Sequence, residues 1–252
     1  MAMNSNLAFR SNPFSTRFIA PGMIPYWLTP PQTLESLARQ LLERRRVAVI
    51  GPHGSGKSSL LHALVQPPPR EEPGGDRVGT IERTVWVFPH AMEQALRLQW
   101  WTIDGPSSRR QFLAAGCDWD RQRLVVVDGW ERLRSWERWR VLRRAAVRDC
   151  MLLASSHQPI RGLPILWDTR QNLQYADQLV RWLLREDPEL ADSWIASPRY
   201  AELKRHWGGN VREMFFTLYD WFELQHGHPS SRPDRAAHPH LRPGVEGRGA
   251  VD

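Results

Sequence analysis

The chain has 252 residues, of which 41% are hydrophobic and 24% are charged. A chain of this size and composition can bury a sizeable core, which excludes a wholly disordered protein and predicts one α/β domain with a small appendage. It has two cysteines, Cys117 and Cys150, whose spacing predicts neither a disulfide framework nor a zinc site. The formal charge of +7 permits an acidic partner such as nucleic acid but does not by itself indicate one.

The N-terminal residues 1–28 are predicted to form an extended arm. Prolines at positions 13, 21 and 25 disfavour a helix, and the apolar residues are too few for a layer of their own. The alternative is a strap packed across the core. Because no basic segment precedes an unbroken apolar run here, and no long apolar stretch occurs elsewhere, we expect a cytoplasmic protein without a membrane span.

The strongest pattern lies at residues 46–61, after an amphipathic helix predicted from the apolar spacing of residues 34–42. A buried strand, a glycine-rich turn and a helix start follow one another, and residues 51–58, here called the glycine loop, fit G-x-x-x-x-G-K-[ST] without a mismatch. The glycines let successive backbone N–H groups surround an anion, and the next helix adds the positive end of its dipole. We therefore predict that ATP is bound by Gly51, Pro52, His53, Gly54, Ser55, Gly56, Lys57, Ser58 and Ser59.

Lys57 and Ser58 have separate predicted roles in this loop. Lys57 and Lys204 are the only lysines among the 34 basic residues of the chain, and a compact charge at Lys57 suits the β- and γ-phosphates. The Ser58 hydroxyl suits Mg²⁺, a hard cation that keeps several waters and takes few protein ligands.

Residues 66–101 give weaker signals. Residues 66–79 are rich in proline, glycine and charge, and they predict an exposed loop. Residues 85–88 predict a short buried strand. Residues 92–101 have apolar residues at helical spacing, although strand and helix are hard to distinguish there.

A second strong pattern is the apolar run at residues 124–127, which ends in Asp128. It predicts a buried parallel strand that presents a carboxylate at its carboxyl end. Asp128 is predicted to hold the hydration shell of Mg²⁺ next to Ser58, and the alternative is an acid that caps the following turn. Glu131 either orients the attacking water or stabilises the start of the next helix.

Residues 132–148 predict a helix with a strongly basic face, because they contain seven arginines and a single acidic residue. Trp136 and Trp139 lie between the arginines. Arginine next to indole can stack nucleobases or bind phosphates, which makes nucleic acid a candidate partner of this segment. The alternative is a solvated helix face whose arginine side chains cover apolar surface.

Residues 150–154 predict a third central strand, followed by Ser155, Ser156 and His157. Polar groups at this strand end face the same sheet edge as the glycine loop, so Ser155 or Ser156 is predicted to contact the γ-phosphate. His157 is expected to cap or pack. Residues 163–167 predict a last short strand, so that the α/β domain covers residues 29–169.

From residue 170 the pattern is helical. Helices are predicted over residues 172–186, 188–195 and 198–206, and a final helix opens within residues 207–213, which together predict a compact helical subdomain over residues 170–226. Asn210 and Glu213 predict a capping-box-like start, and Arg212 either points at an anion or is an exposed arginine. Residues 227–252 are predicted to be a disordered tail.

In order and content, these elements resemble those of the AAA+ and related STAND ATPases over residues 12–225. The opening Asn12-Pro13-Phe14 is similar to the start of secretion-type and transposition-type AAA ATPases. The resemblance implies a P-loop NTPase with a three-layer αβα arrangement around a parallel sheet and a C-terminal all-α lid. Residues 209–213 resemble the sensor II segment, which implies that Arg212 contacts the γ-phosphate.

The resemblance extends to the strand ends, with one departure. Ser155 or Ser156 matches the sensor I position. The usual Asp-Glu pair is replaced by Asp128-Gly129, a form closer to STAND-like variants, and Glu131 is the candidate for the catalytic glutamate.

Together, these patterns predict an enzyme that hydrolyses ATP with Mg²⁺ and uses the nucleotide state to switch a lid-coupled interaction with a protein partner. The predicted catalytic residues are Lys57, Glu131, Ser155, Ser156 and Arg212. One alternative is a small-molecule kinase whose helical segment forms the acceptor pocket. Another is a nucleotide-binding scaffold without turnover, favoured by the missing glutamate beside Asp128 and by 13 tryptophans that suggest contact surfaces.

Overall fold

A computed structural model of the chain describes residues 11–65, 83–85, 96–115, 118–170, 175–207 and 210–226. Its strands are β1 (Arg46–Ile50), β2 (Arg83–Val85), β3 (Leu96–Thr102), β4 (Arg123–Asp128), β5 (Met151–Ser156) and β6 (Ile165–Asp168). Its helices are α1 (Thr16–Ile19), α2 (Leu34–Arg44), α3 (Lys57–Val65), α4 (Pro106–Ala115), α5 (Ser135–Val147), α6 (Ala176–Leu183), α7 (Pro188–Ile195), α8 (Pro198–His206) and α9 (Val211–His226), and a 3-10 helix spans Trp130–Arg132.

The six strands form one sheet in the order β2-β3-β4-β5-β1-β6. Five of them are parallel, and β2 pairs antiparallel with β3 at one edge. Because β5 lies between β1 and β4, the polar residues that end β5 stand between the chain leaving β1 and the acid that ends β4. The strand order therefore gathers the predicted site at the carboxyl edge of the sheet.

Helices cover both faces of this sheet. Val47 and Val49 of β1 pack into one core with leucines of α2 and α3, whereas Ala48 and Ile50 pack into a second core with residues of α4 and α5. The same alternation runs through β4 and β5, which explains why these strands are almost continuously apolar in sequence. The predicted α/β fold with helices on both sides of a parallel sheet is confirmed at this level.

The structure decides one open choice and differs from one expectation. For residues 92–101, where strand and helix were both open, the described part forms strand β3, whose pairing with β2 and β4 places Leu96 and Leu98 in the sheet core. In the arm, where prolines argued against a helix, Thr16–Ile19 nevertheless make one helical turn. The predicted loop at 66–79, residues 86–88 of the predicted strand, residues 92–95 and the predicted tail at 227–252 lie outside the described residues.

The helices after β6 have their own core. The predicted helices at residues 188–195 and 198–206 are confirmed as α7 and α8, each with proline in its first turn and a side-chain cap from Asp187 or Ser197. The structure describes residues 175–186 of the helix predicted over 172–186, and within them α6 spans Ala176–Leu183. Phe14 of the arm is 1% exposed and packs into this helical core. In the described ranges, no helix combines the length and apolar character needed to cross a bilayer.

Candidate functional site

The glycine loop has a backbone that few residues other than glycine adopt. Gly51, Gly54 and Gly56 have φ angles of +151°, +74° and +88°, in the region that L side chains rarely enter. A Cβ on Gly51 would lie 2.0 Å from Thr169 Oγ1, so space as well as backbone angle requires glycine there. In the described chain, no backbone hydrogen bond uses the N–H of Gly54, Gly56 or Lys57. These donors can therefore bind an anion at the start of α3.

The side chain of Lys57 folds back on the loop that precedes it. Its Nζ donates hydrogen bonds to the carbonyl oxygens of Gly51 at 2.9 Å and Pro52 at 2.7 Å. Burial lowers the Lys57 pKa, and the carboxylates of Glu131 and Asp128 oppose this effect. The ammonium is thus held at the loop, next to the free N–H groups.

Ser58 and Asp128 meet across the sheet edge. Ser58 Oγ donates a hydrogen bond to Asp128 Oδ2 at 2.6 Å, although 70 positions separate the two residues in the sequence. The second carboxylate oxygen, Oδ1, accepts from Ser155 Oγ at 2.5 Å, and Ser155 Oγ accepts from the N–H of Gly129 at 3.0 Å. The end of β5 therefore fixes the acid that ends β4 in front of α3.

This network separates the two candidate serines. The hydroxyl hydrogen of Ser155 is directed at Asp128, which makes Ser155 a residue that positions the carboxylate. Ser156 Oγ accepts a hydrogen bond from the N–H of Gln158 at 3.3 Å, and the structure records no bond donated by its hydroxyl hydrogen to a described residue. The two neighbouring serines consequently have different chemical environments.

Ser58 and Asp128 are the oxygen donors that Mg²⁺ would meet here. In the part of the chain that the structure describes, no group of three or more histidine, cysteine, aspartate or glutamate side chains is arranged to hold a metal ion. A hydroxyl and a carboxylate already in hydrogen-bond contact fit a cation that keeps most of its water ligands.

Glu131 lies on the 3-10 helix that follows β4. Its Oε1 is 3.5 Å from Nε2 of His157, and its Oε2 is buried without a hydrogen-bond partner among the described residues. The backbone carbonyl of Glu131 accepts a hydrogen bond from Arg138 Nη2 at 2.7 Å, which anchors this turn to α5. His157, expected only to cap or pack, also makes an edge contact with His53 of the glycine loop, with ring centroids 5.6 Å apart.

Position 129, directly after Asp128, requires glycine. Its φ angle is +96°, and a Cβ at this position would lie 2.6 Å from the carbonyl oxygen of Ile103. A glutamate cannot replace Gly129 without moving the neighbouring backbone. The turn that Gly129 permits then brings Glu131 back toward Lys57, whose pKa it influences.

The first turn of α9 lies against the glycine loop. A Cβ on Gly54 would be 1.9 Å from Asn210 Oδ1 and 3.4 Å from Cβ of Arg212. Asn210 caps α9, because its Oδ1 accepts from the N–H of Glu213 at 3.4 Å, as the sequence predicted. Arg212 is exposed beside the loop. The positive ends of two helix dipoles, from α3 and α9, therefore face the same loop.

Sequence reasoning missed Thr169, which follows β6 and is fully buried. Its Oγ1 lies 2.5 Å from Ser55 Oγ and donates to the carbonyl oxygen of Ile50 at 3.2 Å, so it fixes the base of the glycine loop. Its place directly after a parallel strand was the available signal.

Sequence reasoning also missed a small apolar pocket of about 70 Å³ beside the glycine loop. Three parts of the chain line it: the arm through Ile24 and Tyr26, the glycine loop with Ser59, and the helical subdomain through Leu179 and Phe215.

The chain was compared with known protein families and with curated proteins. It matches no protein-family model, and no curated protein matches it.

Proposed function

We propose that this protein is a P-loop ATPase that binds ATP with Mg²⁺ at the glycine loop, hydrolyses it, and uses the nucleotide state to switch a partner interaction through a helical lid. The observation that carries the proposal is the 2.6 Å hydrogen bond between Ser58 and Asp128. This bond brings together the two most specific sequence patterns, the glycine loop and the strand that ends in Asp128. A glycine turn that fitted the loop pattern only by chance would not be expected to contact that acid.

The triphosphate would be bound by the glycine loop and its neighbours. The free N–H groups of Gly54, Gly56 and Lys57 surround the anion, and Lys57 Nζ exchanges its carbonyl partners for phosphate oxygens. Arg212, on the first turn of α9, adds a second positive charge from the lid side. The positive ends of α3 and α9 strengthen the same attraction.

The apolar pocket supports a nucleotide rather than inorganic phosphate as the ligand. Ser55, Gly56 and Ser59 line the pocket beside the start of α3, so a base attached to phosphates at the loop would meet the apolar lining to which Tyr26 and Phe215 contribute. The arm and the lid each supply part of this lining. A bound base would therefore hold the α/β part, the arm and the lid together.

Hydrolysis requires a metal site and a residue that orients water. Ser58 and Asp128 would hold Mg²⁺, which when bound neutralises charge on the phosphates. Ser155 keeps the Asp128 carboxylate in place. Glu131 Oε2 is buried without a hydrogen-bond partner among the described residues, so it can accept a hydrogen bond from the attacking water, while Oε1 lies 3.5 Å from Nε2 of His157.

The binding half of the proposal is tested with Lys57→Ala. We expect the affinity for Mg²⁺-ATP, measured by calorimetry, to fall by about 100-fold, because charged hydrogen bonds to the phosphates are lost. Lys204→Ala removes the only other lysine, which pairs with Asp177 on the surface of the lid, and should leave the affinity unchanged. Affinity of Lys57→Ala within a few-fold of the parent would reject the site.

The turnover half is tested with Glu131→Gln, which keeps the size of the side chain. We expect this variant to bind Mg²⁺-ATP as the parent does but to release inorganic phosphate much more slowly. Phosphate release by the parent without any acceptor supports the ATPase. Nucleotide-dependent stabilisation with ATP left intact would instead identify a scaffold, and turnover only after addition of a metabolite would identify a kinase.

A further inference from the structure

Helix α5 has an outer face that the nucleotide site does not use. The helix packs on the sheet through Val141 and Ala145, which are 4% and 0% exposed. Trp136 and Trp139 lie elsewhere on the helix and are 54% and 61% exposed. The indoles are therefore not what anchors α5 to the core, and burial does not account for their presence.

The exposed surface of α5 and its flanking residues is basic, and Arg140 and Arg143 are the arginines on the outer face. Five arginines in and beside α5 are exposed: Arg132, Arg134, Arg140, Arg143 and Arg148. The single acid of the segment, Glu137, is turned inward, where it accepts from the N–H of Arg134 at 2.7 Å and lies 3.6 Å from Arg109 of α4. No carboxylate of this segment is therefore on the outer face to neutralise these charges.

The order of residues along the face matters as much as the total charge. Trp136, Arg140, Arg143 and Val147 follow one another at i, i+4, i+7 and i+11, which places them on one stripe of the helix. Trp139 lies beside the stripe, and its ring centroid is 5.4 Å from Cζ of Arg143. Two indoles three positions apart are neighbours on a helix surface, with guanidinium groups next to each of them.

These observations decide between the two sequence interpretations of the segment. If the arginine side chains only covered apolar surface, the tryptophans should be largely covered, yet both are more than half exposed. Exposed indoles beside Arg140 and Arg143, which have no ion-pair partner among the described residues, match the requirements of a strand with free bases and a phosphate backbone. A polyanion without bases would use the arginines alone.

We propose that the outer face of α5 binds single-stranded nucleic acid. Trp136 and Trp139 stack on unpaired bases, and Arg140 and Arg143 contact the phosphates between them. The recognition is tolerant of sequence, because every base has a flat face that an indole can contact. This binding does not depend on the nucleotide site and stands apart from the ATPase proposal.

The test uses the full chain and a fluorescently labelled oligothymidylate of about 16 nucleotides, with binding followed by anisotropy over a range of salt concentrations. We expect Trp136→Ala and Trp139→Ala each to weaken binding by about 5-fold to 100-fold. Combined Arg140→Gln and Arg143→Gln should weaken binding and reduce the salt slope by about 1.4, since each phosphate contact contributes about 0.7 for a single strand.

Matched controls come from other helices. Phe216→Ala on α9 removes an aromatic side chain that is 54% exposed, as Trp136 is. Combined Arg199→Gln and Arg205→Gln removes two exposed arginines from α8. Neither control should change the affinity or the salt slope by a comparable amount, and circular dichroism should confirm that every variant is folded.

Three outcomes would overturn the proposal. The first is the absence of saturable binding at low salt. The second is unchanged affinity of both tryptophan variants together with weaker binding of the arginine variant, which would mean general attraction to phosphate. The third is a blunt duplex that binds as tightly as the single strand and responds equally to the tryptophan substitutions, because its paired bases are not free to stack.

Discussion

Gly54→Ala tests the contact between the glycine loop and the lid, on which the proposed switch depends. At a φ angle of +74°, an alanine carries a backbone strain of about 1–2 kcal/mol. Its Cβ would also lie 1.9 Å from Asn210 Oδ1, a separation that cannot persist. Asn210 must then turn away and give up its cap on α9, which costs about 1 kcal/mol more. The expected total loss of unfolding free energy is about 2–3 kcal/mol.

The clash can be separated from the strain by a second substitution. Asn210→Ala removes both atoms nearest to the new Cβ, and the next neighbour, Cβ of Arg212, is 3.4 Å away. In the Asn210→Ala background, Gly54→Ala should therefore cost only the strain of about 1–2 kcal/mol. The two substitutions together should cost about 1 kcal/mol less than the sum of their separate effects.

Urea unfolding followed by far-ultraviolet circular dichroism measures this cycle. Gly162→Ala is the matched control, because Gly162 has a φ of +89° and a Cβ there would only touch Leu142 at 3.6 Å. Gly162→Ala should lower the free energy of unfolding by about 1–2 kcal/mol. Its effect and that of Asn210→Ala should sum, within about 0.5 kcal/mol, to the effect of the two substitutions together. If Gly54→Ala behaves like this control in both respects, α9 does not rest on the glycine loop, and the lid mechanism is wrong.

Two further predictions concern buried groups. Ser155→Ala leaves Asp128 without one of its hydrogen-bond donors and should lower the free energy of unfolding by about 1–3 kcal/mol in the same urea assay. Ser156→Ala loses one 3.3 Å contact and should lower it by less. Equal effects would contradict the role given to Ser155. Burial raises the pKa of Cys150 from 9.0 to about 12, so its thiolate is about 1,000-fold scarcer than in the unfolded chain near neutral pH. Iodoacetamide should label Cys150 only after denaturation, as judged by mass spectrometry of its peptide, and rapid labelling of the folded protein would contradict its burial. Because the thiol ionises at a lower pH in the unfolded chain, Cys150 should lower the free energy of unfolding as the pH rises from 9.0 toward 12.

The contact between Ser58 and Asp128 is a part of the site that could be predicted from the sequence. Each residue ends or follows a short, continuously apolar segment, and such segments predict buried parallel strands. Because parallel strands present their carboxyl ends at one edge, both polar residues were expected at that edge before any strand order was known, and likeness to other P-loop NTPases placed them side by side. The distance of 2.6 Å agrees with that expectation.

Other parts of the site depend on contacts that no local pattern encodes. Thr169 lies 114 positions from Ser55, and its contact with the glycine loop requires β6 to pair beside β1. The apolar pocket combines the arm, the loop and the helical subdomain, so it exists only after all three have packed. Likewise, the requirement for glycine at position 129 comes from the carbonyl of Ile103, on a neighbouring part of the chain.

The sequence by itself determined the apolar strands, the glycine loop, the helix caps and the positions of the candidate site residues, because these follow from local backbone preferences and periodicity. Only the tertiary structure decided whether a side chain that the sequence could place on either side of its element points toward the core, the site or the solvent. The outward position of Trp136 and Trp139 is an example, since the rotation of α5 is fixed by the packing of Val141 and Ala145 on the sheet. The distinction between Ser155 and Ser156 has the same origin, because adjacent residues of a strand face opposite ways and only the neighbouring strand supplies Asp128.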